Sequence, residues 1–312
     1  MADRRTAKVL MMAFGVALLL FAWHFLPEST SAVDSSQWKV SDAGLLVYAV
    51  SPPQYNISRE AGDESRSLSE LLLQSRGAEI AALLRIPLQE ENEGQKGIPG
   101  IVLLPGASVS KEREQGLAKK LADLGYATIT LDQRNLGAVN GEADLQMFLQ
   151  GTEPVEHKMV YDALAAAEVL RSRPEIDAER IIYAGESNGG RFAIIACALD
   201  SQARGVIAIS TCGYDTRAAI AHAAASGQAV DPEAVRFYIS IDPESYLDSV
   251  SPRPLVMIHS LNDTIIPYQL AQRTFSLARE PRRMYTVNCT MHGYCPDMAK
   301  ALENELAGIF KG

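Results

Sequence analysis

The feature that most restricts how this chain can fold is a short apolar run, Arg180 to Ala184, that passes at once into Gly185-Glu186-Ser187-Asn188-Gly189 and then into a helical pattern from Gly190. A G-x-S-x-G pentapeptide between a strand and a helix requires a very tight turn. Such a turn strains the central residue's backbone, and side chains at the flanking positions would collide with the adjoining strand and helix. It lifts the serine hydroxyl above the edge of a sheet and sets it at a helix N-terminus. Free N–H groups and the positive end of the helix dipole there favour a developing oxyanion.

The segments around it alternate in the same way. Ile101 to Leu104, Tyr126 to Leu131, Ile181 to Ala184, Gly205 to Ile209, Leu255 to Ile258 and Met284 to Val287 read as strands. Lys111 to Leu124, Val155 to Arg171, Gly189 to Leu199 and Glu303 to Phe310 read as helices. This order predicts an α/β fold, a mostly parallel central sheet with helices on both faces. Leu68 to Gln74, a turn at Ser75-Arg76-Gly77, and Ala78 to Ile86 read as an N-terminal β-hairpin. Ala218 to Ser226 is an alanine-rich helix that suits either a small cap or plain packing.

Before the hairpin the character changes. Arg4, Arg5 and Lys8 precede an apolar run from Val9 to Leu26 that ends at Pro27, with Thr30-Ser31-Ala32 beyond. Basic flank, apolar run and breaker at the N-terminus point to a membrane anchor or a cleaved signal segment over residues 1–32, either of which puts the rest outside the membrane. A buried core helix fits that placement poorly. Residues 33–66 then read as a polar tether with a short strand, Leu45 to Val50, and residues 67–312 as one catalytic domain. The net charge is -9, which repels phosphate backbones and excludes nucleic acid as a partner.

A serine nucleophile needs a base, and of five histidines His292 is best placed, in a loop after the last strand. His24 lies in the apolar segment, His157 and His222 fall within helical patterns, and His259 ends a strand. The imidazole in turn needs a carboxylate to fix its tautomer. Asp263 follows the penultimate strand, whereas Asp242 and Asp248 precede it. The chain order is then Ser187, Asp263, His292, the order of an α/β-hydrolase triad. The cysteine and histidine spacings fit no zinc pattern, and neither a metal nor an organic cofactor is expected. Cys289 and Cys295 flank His292, as a short bridge in an oxidising compartment or as two free thiols.

These residues carry a resemblance. From about Ser67 onward the chain resembles the α/β-hydrolase superfamily, nearest its dienelactone-hydrolase-like and prolyl-oligopeptidase-like branch. The carriers are Leu103-Leu104-Pro105-Gly106, Leu131-Asp132-Gln133-Arg134, Gly185 to Gly190, Asp263 to Pro267 and His292-Gly293. The resemblance implies an oxyanion hole from the backbone N–H groups of Asn188 and Ala107. It also implies hydrolysis of a small-molecule carboxylic ester through an acyl-enzyme, with peptidase, acyltransferase or an inactive binding module as alternatives. Dienelactone hydrolases proper use a cysteine where this chain has Ser187, and the chain has no room for the propeller of the oligopeptidases.

Overall fold

In the computed structural model the chain is described over residues 38–63, 66–87 and 97–311. The apolar segment assigned to residues 1–32 lies outside the described residues. No helix among the described residues is long and apolar enough to cross a membrane.

Strands β1 (Trp38–Val40) and β2 (Leu46–Tyr48) form a small antiparallel pair. β3 (Gln54–Asp63), β4 (Arg66–Ser75) and β5 (Ala78–Pro87) follow as an antiparallel meander. Then come β6 (Ile98–Leu104), α1 (Gln115–Asp123), β7 (Ala127–Leu131), α2 (Gly141–Leu149), α3 (Val155–Arg171), β8 (Ile176–Glu186) and α4 (Asn188–Leu199). The remainder is β9 (Val206–Ile209), α5 (Thr216–Ala225), α6 (Pro232–Ile241), α7 (Leu247–Val250), β10 (Leu255–Ser260), α8 (Tyr268–Leu277), β11 (Arg282–Val287) and α9 (Ala299–Lys311).

The large sheet is mixed, in the order β11-β10-β9-β8-β6-β7-β5-β4-β3. The six strands from β6 to β11 pair in parallel, and β5, β4 and β3 extend the sheet antiparallel. The segment read as a polar tether is thus partly sheet, because 54–63 is the edge strand β3. Its polar residues hide it from a hydrophobic pattern, since an edge strand pairs on one side only.

The central strands are continuous apolar runs because both faces are covered. Val102, Leu104, Ile181, Tyr183, Val206 and Met257 face α3 and α4. Ile101, Leu103, Ile182, Ile207 and Val256 face Leu117 and Leu121 of α1 and Leu302 and Leu306 of α9. Parallel strands place all their carboxyl ends at one edge, and the loops after β6, β7, β8, β9, β10 and β11 gather there.

His157 sits in the core, its ring centroid 5.6 Å from that of Trp38, 6.1 Å from Phe148 and 5.9 Å from Phe237. The Ser240 hydroxyl donates to the Phe237 carbonyl, so Ser240 Oγ accepts from His157 Nε2 at 2.6 Å, and His157 Nδ1 is unpartnered. Burial pushes this imidazole down to about 3. An unfolded chain takes up the proton near pH 6.5 and the folded one does not, so stability falls as pH drops below that value. The slope is about 1.4 kcal/mol per pH unit for one such group. Between pH 7 and pH 4.5, wild type should therefore lose roughly 2–3 kcal/mol more than His157→Gln, which keeps a donor to Ser240. Urea midpoints of both proteins at the two pH values measure this; equal losses would mean that His157 is not the acid-sensitive group.

Candidate active site

Ser187 occupies the turn between β8 and α4 with φ 52° and ψ −119°, a conformation sparsely populated by L-residues. The turn closes only because its neighbours are glycines. A Cβ on Gly185 would lie 2.4 Å from the Gly189 backbone, and one on Gly189 would lie 2.1 Å from the Leu104 carbonyl oxygen. The Ser187 amide donates to the Ile209 carbonyl at 2.9 Å, and the Thr211 hydroxyl donates to the Ser187 carbonyl at 2.7 Å. The nucleophile candidate is thereby fixed to the end of β9 on both sides of its peptide unit.

Asn188 is the first residue of α4, so its N–H has no acceptor within the helix. Ala107 lies in the loop that leaves β6, and among the described residues its amide has no protein acceptor. This loop runs against the turn, with a Cβ built on Gly106 only 3.4 Å from Ser187 Cβ. Residues after β7 hold it. Gln133 Nε2 donates to the Pro105 carbonyl at 2.6 Å, and the Ser108 amide donates to the Leu136 carbonyl at 2.7 Å. Lys111 reaches back to Asp132 at 2.9 Å, and Arg134 pairs with buried Asp162 at 2.7 Å. Each residue of the Asp132-Gln133-Arg134 stretch thus has a structural partner.

Arg191, one helical turn after Ser187, completes the arrangement. Its guanidinium donates to Asn188 Oδ1 at 2.6 Å, to the Cys212 carbonyl at 2.8 Å and to the Tyr214 hydroxyl at 3.1 Å, and lies over the Tyr214 ring. Asn188 Nδ2 in turn donates to the Gly137 carbonyl at 3.1 Å. One side chain so links α4, the loop after β9 and the loop that supports Ala107. Nothing in the sequence marks Arg191, because apart from Asn188 its partners lie 21 and 23 residues away, in the loop after β9.

The loops after β10 and β11 bring Asp263 and His292 together, with Nδ1 2.8 Å from Asp263 Oδ2. Asp263 Oδ1 accepts the Ile265 and Ile266 amides, both at 2.9 Å. Burial works against the Asp263 carboxylate, but the bonds from His292, Ile266 and Ile265 outweigh it and hold its pKa below the usual range. His259 is close by, its Nε2 2.8 Å from the Ile266 carbonyl and 3.7 Å from Asp263 Oδ2. Burial pushes that imidazole down, so it stays neutral and donates to the carbonyl, bracing the Asp263 turn. The other acids are engaged elsewhere: Asp242 accepts the Tyr214, Thr216 and Glu244 amides, and Asp248 pairs with Arg279.

Two buried carboxyls, Glu156 and Glu114, and the half-buried Glu186 surround these loops. Burial, then the Asp144 charge, pushes Glu156 up to about 8 against the pull of Arg191, and its Oε2 has no partner. Burial, then Glu186, pushes Glu114 up to about 8, and its Oε1 is likewise unpartnered. Burial also raises Glu186, against the Tyr294 amide and His292. Cys289 and Cys295 are free thiols, as are Cys197 and Cys212. Burial, followed by the neighbouring Cys289 thiol, pushes Cys295 up to about 11. Among the described residues no cluster of three or more His, Cys, Asp or Glu side chains is arranged to hold a metal ion.

Comparison with known proteins agrees with the fold. The family model for acetyl xylan esterase (AXE1) matches residues 73–245. The protein YfhR of Escherichia coli O157:H7 is 32% identical over 173 residues, 55% of each chain, so the present chain spans about half the length of this relative in the match. Among solved structures, the acetyl xylan esterase from Paenibacillus sp. R4 superposes with a TM-score of 0.67 at 19% identity, covering 90% of this chain and 96% of that one. Acetyl xylan esterase 1 from Thermoanaerobacterium sp. JW/SL YS485 gives 0.60 at 16% identity, covering 84% and 89%. At such identities the superpositions establish the α/β-hydrolase fold. The family match covers more than half of the chain and includes Ser187. The chain is a member of the acetyl xylan esterase (AXE1) family, built on an α/β-hydrolase fold.

Proposed function

We propose that Ser187, His292 and Asp263 act as a catalytic triad that hydrolyses small carboxylic esters through an acyl-enzyme. The observation that carries this reading is the 2.8 Å contact between His292 Nδ1 and Asp263 Oδ2. It leaves Nε2 as the free ring nitrogen, the one able to take a proton from a serine hydroxyl. His292 accepts the Ser187 proton as Oγ attacks the ester carbonyl, and Asp263 stabilises the imidazolium. The Asn188 and Ala107 amides receive the oxyanion. His292 then returns the proton to the departing alkoxide, and a water deprotonated by the same imidazole hydrolyses the acyl-enzyme.

The family name favours acetyl esters, including those on a sugar chain. Leu136, Tyr214, Ile265 and Met291 are exposed apolar side chains on the loops that carry the site, which suits contact with an uncharged ester. A panel of p-nitrophenyl esters from acetate to octanoate, with acetylated xylo-oligosaccharides beside it, tests the substrate class. kcat/KM should be highest for acetate and fall by at least about ten-fold by octanoate, since each misfitted methylene is worth roughly 1 kcal/mol or more. A maximum at the long chains would replace the acetyl reading with a lipid-ester one.

Residues 1–32 are proposed to hold the domain outside a membrane, as an anchor or as a segment removed after export. A chain of residues 33–312 should then be soluble and retain full kcat/KM. An aggregated, inactive product would mean that the N-terminal segment packs on the domain.

A further inference from the structure

The residue immediately before the nucleophile reaches across to the residues immediately after the base. Glu186 Oε1 accepts the Tyr294 amide at 3.0 Å, 108 positions along the chain. Glu186 Oε2 lies 2.6 Å from where a Cβ on Gly293 would stand, so this oxygen is seated directly against the Gly293 backbone. Gly293 has φ +88°, a conformation suited to glycine, and its carbonyl accepts the Ser210 hydroxyl at 3.3 Å. The His292 loop is therefore held by the end of β8 through Glu186 and by the end of β9 through Ser210.

We infer that Glu186 is a positioning residue for the hydrolysis, a clamp that sets His292 in register with Ser187 by tying the Gly293-Tyr294 backbone to the nucleophile's own turn. The inference rests on the triad reading and extends it to a residue that touches neither substrate nor reacting atoms. His292 lies on a loop after an edge strand, and its ring is fixed by Asp263 at Nδ1 alone. The ring's own bond fixes one end only, and the backbone attachments of Gly293 to Ser210 and of Tyr294 to Glu186 define where Nε2 points. The Ser187 side needs no such help, since its backbone is bonded to Ile209 and Thr211.

The chemistry of the clamp is that of an acceptor. An amide N–H needs an oxygen at the right distance, and a neutral amide side chain supplies one as well as a carboxyl does. Glu114, buried and beside Glu186, is raised by burial and by that neighbour's charge, so it is held neutral at pH 7. A neutral Glu114 avoids a second charge behind the clamp.

The test compares wild type with Glu186→Ala, Glu186→Asp, Glu186→Gln and Ser187→Ala, using p-nitrophenyl acetate kinetics and thermal melts. Ala and Asp cannot reach the Tyr294 amide, and kcat should fall by about a hundred-fold for Ala and at least about ten-fold for Asp. KM should stay within about two-fold. Glu186→Gln, which keeps the acceptor oxygen, should restore kcat to within about three-fold of wild type. Melting temperatures should not follow this order, because replacing a carboxyl whose charged form desolvation disfavours also relieves that penalty. A Glu186→Asp protein with wild-type kcat overturns the inference, and so does a Glu186→Gln protein as slow as Glu186→Asp. Should Glu186→Ala not fold, those two variants decide it. A Ser187→Ala protein that keeps its activity would instead overturn the triad reading itself, which separates the two failures.

Discussion

Ser187→Ala is expected to lower kcat on a short ester by about ten-thousand-fold or more, with a melting temperature close to that of wild type. The hydroxyl is small, and the turn is held by backbone bonds to Ile209 and Thr211 that alanine keeps. His292→Ala should cost about as much, because the serine has no other base within the loops that meet there. Asp263→Asn is the informative third variant. Its retained Oδ1 still accepts the Ile265 and Ile266 amides, so the turn after β10 survives. Its amide nitrogen, however, presents a donor to Nδ1 and forces the imidazole into the tautomer with the proton on Nε2, where it cannot act as a base. A loss of about ten-thousand-fold with little change in stability is expected. Asp263→Ala, by contrast, would orphan two amides and mix a folding defect with a chemical one. The Ser187→Ala/His292→Ala double variant should be hardly slower than either single one, since the residues act as a unit. Effects that simply multiplied would mean that the two side chains serve separate steps.

Gly189→Ala should be among the most destabilising single-methyl additions in the chain. The new Cβ would stand 2.1 Å from the Leu104 carbonyl oxygen and 2.4 Å from that of Pro105, both backbone atoms at the end of β6. Neither can turn aside as a side chain would. Relief requires the loop carrying Ala107 to move away from α4, against the Gln133 bond to Pro105. Overpacking of a core commonly costs about 1–3 kcal/mol, and a clash with fixed backbone lies at or above the upper end. Whatever folds should also be slow, since the Ala107 amide leaves the position it needs as an oxyanion donor. Gly116→Ala is the control. A Cβ there meets nothing within 4 Å, and in α1 alanine should be neutral or raise stability by about 0.5–1 kcal/mol. Chemical denaturation of both variants measures the contrast, and equal midpoints would mean that the turn is looser than its geometry implies.

Much of this was legible from residue order. The helix from Val155 to Arg171 could be bounded because Pro154 precedes it and Ser172-Arg173-Pro174 ends it. The parallel strands could be read because burial on both faces makes them uninterrupted apolar runs. Asp263 and His292, singled out by their place after the last two strands, meet at the site edge. Other parts were hidden for physical reasons. Strand β3 carries Arg59, Glu60 and Asp63, and its pairing with β4 along one side supplies order that its own pattern does not advertise. Helices α2 and α6 are short elements whose main local signal is a cap, Asn140 in one and Asp231 with Pro232 behind it in the other, and a cap alone does not distinguish a helix from a turn. The sheet is more mixed than the alternation suggested because β5 joins β7 antiparallel. Arg191, Glu186 and His259 act through partners 7 to 108 residues away, which no local pattern announces.

Labelling with a fluorophosphonate, followed by digestion and mass spectrometry of the peptide spanning the β8–α4 turn, bears most directly on the proposed nucleophile. The reagent reacts with a serine only when a neighbouring base activates it. The expected result is one adduct, on Ser187, formed at the rate at which esterase activity is lost and absent from His292→Ala. An inactivated enzyme carrying its adduct on another residue, or an active enzyme that takes up none, would contradict Ser187 as the nucleophile.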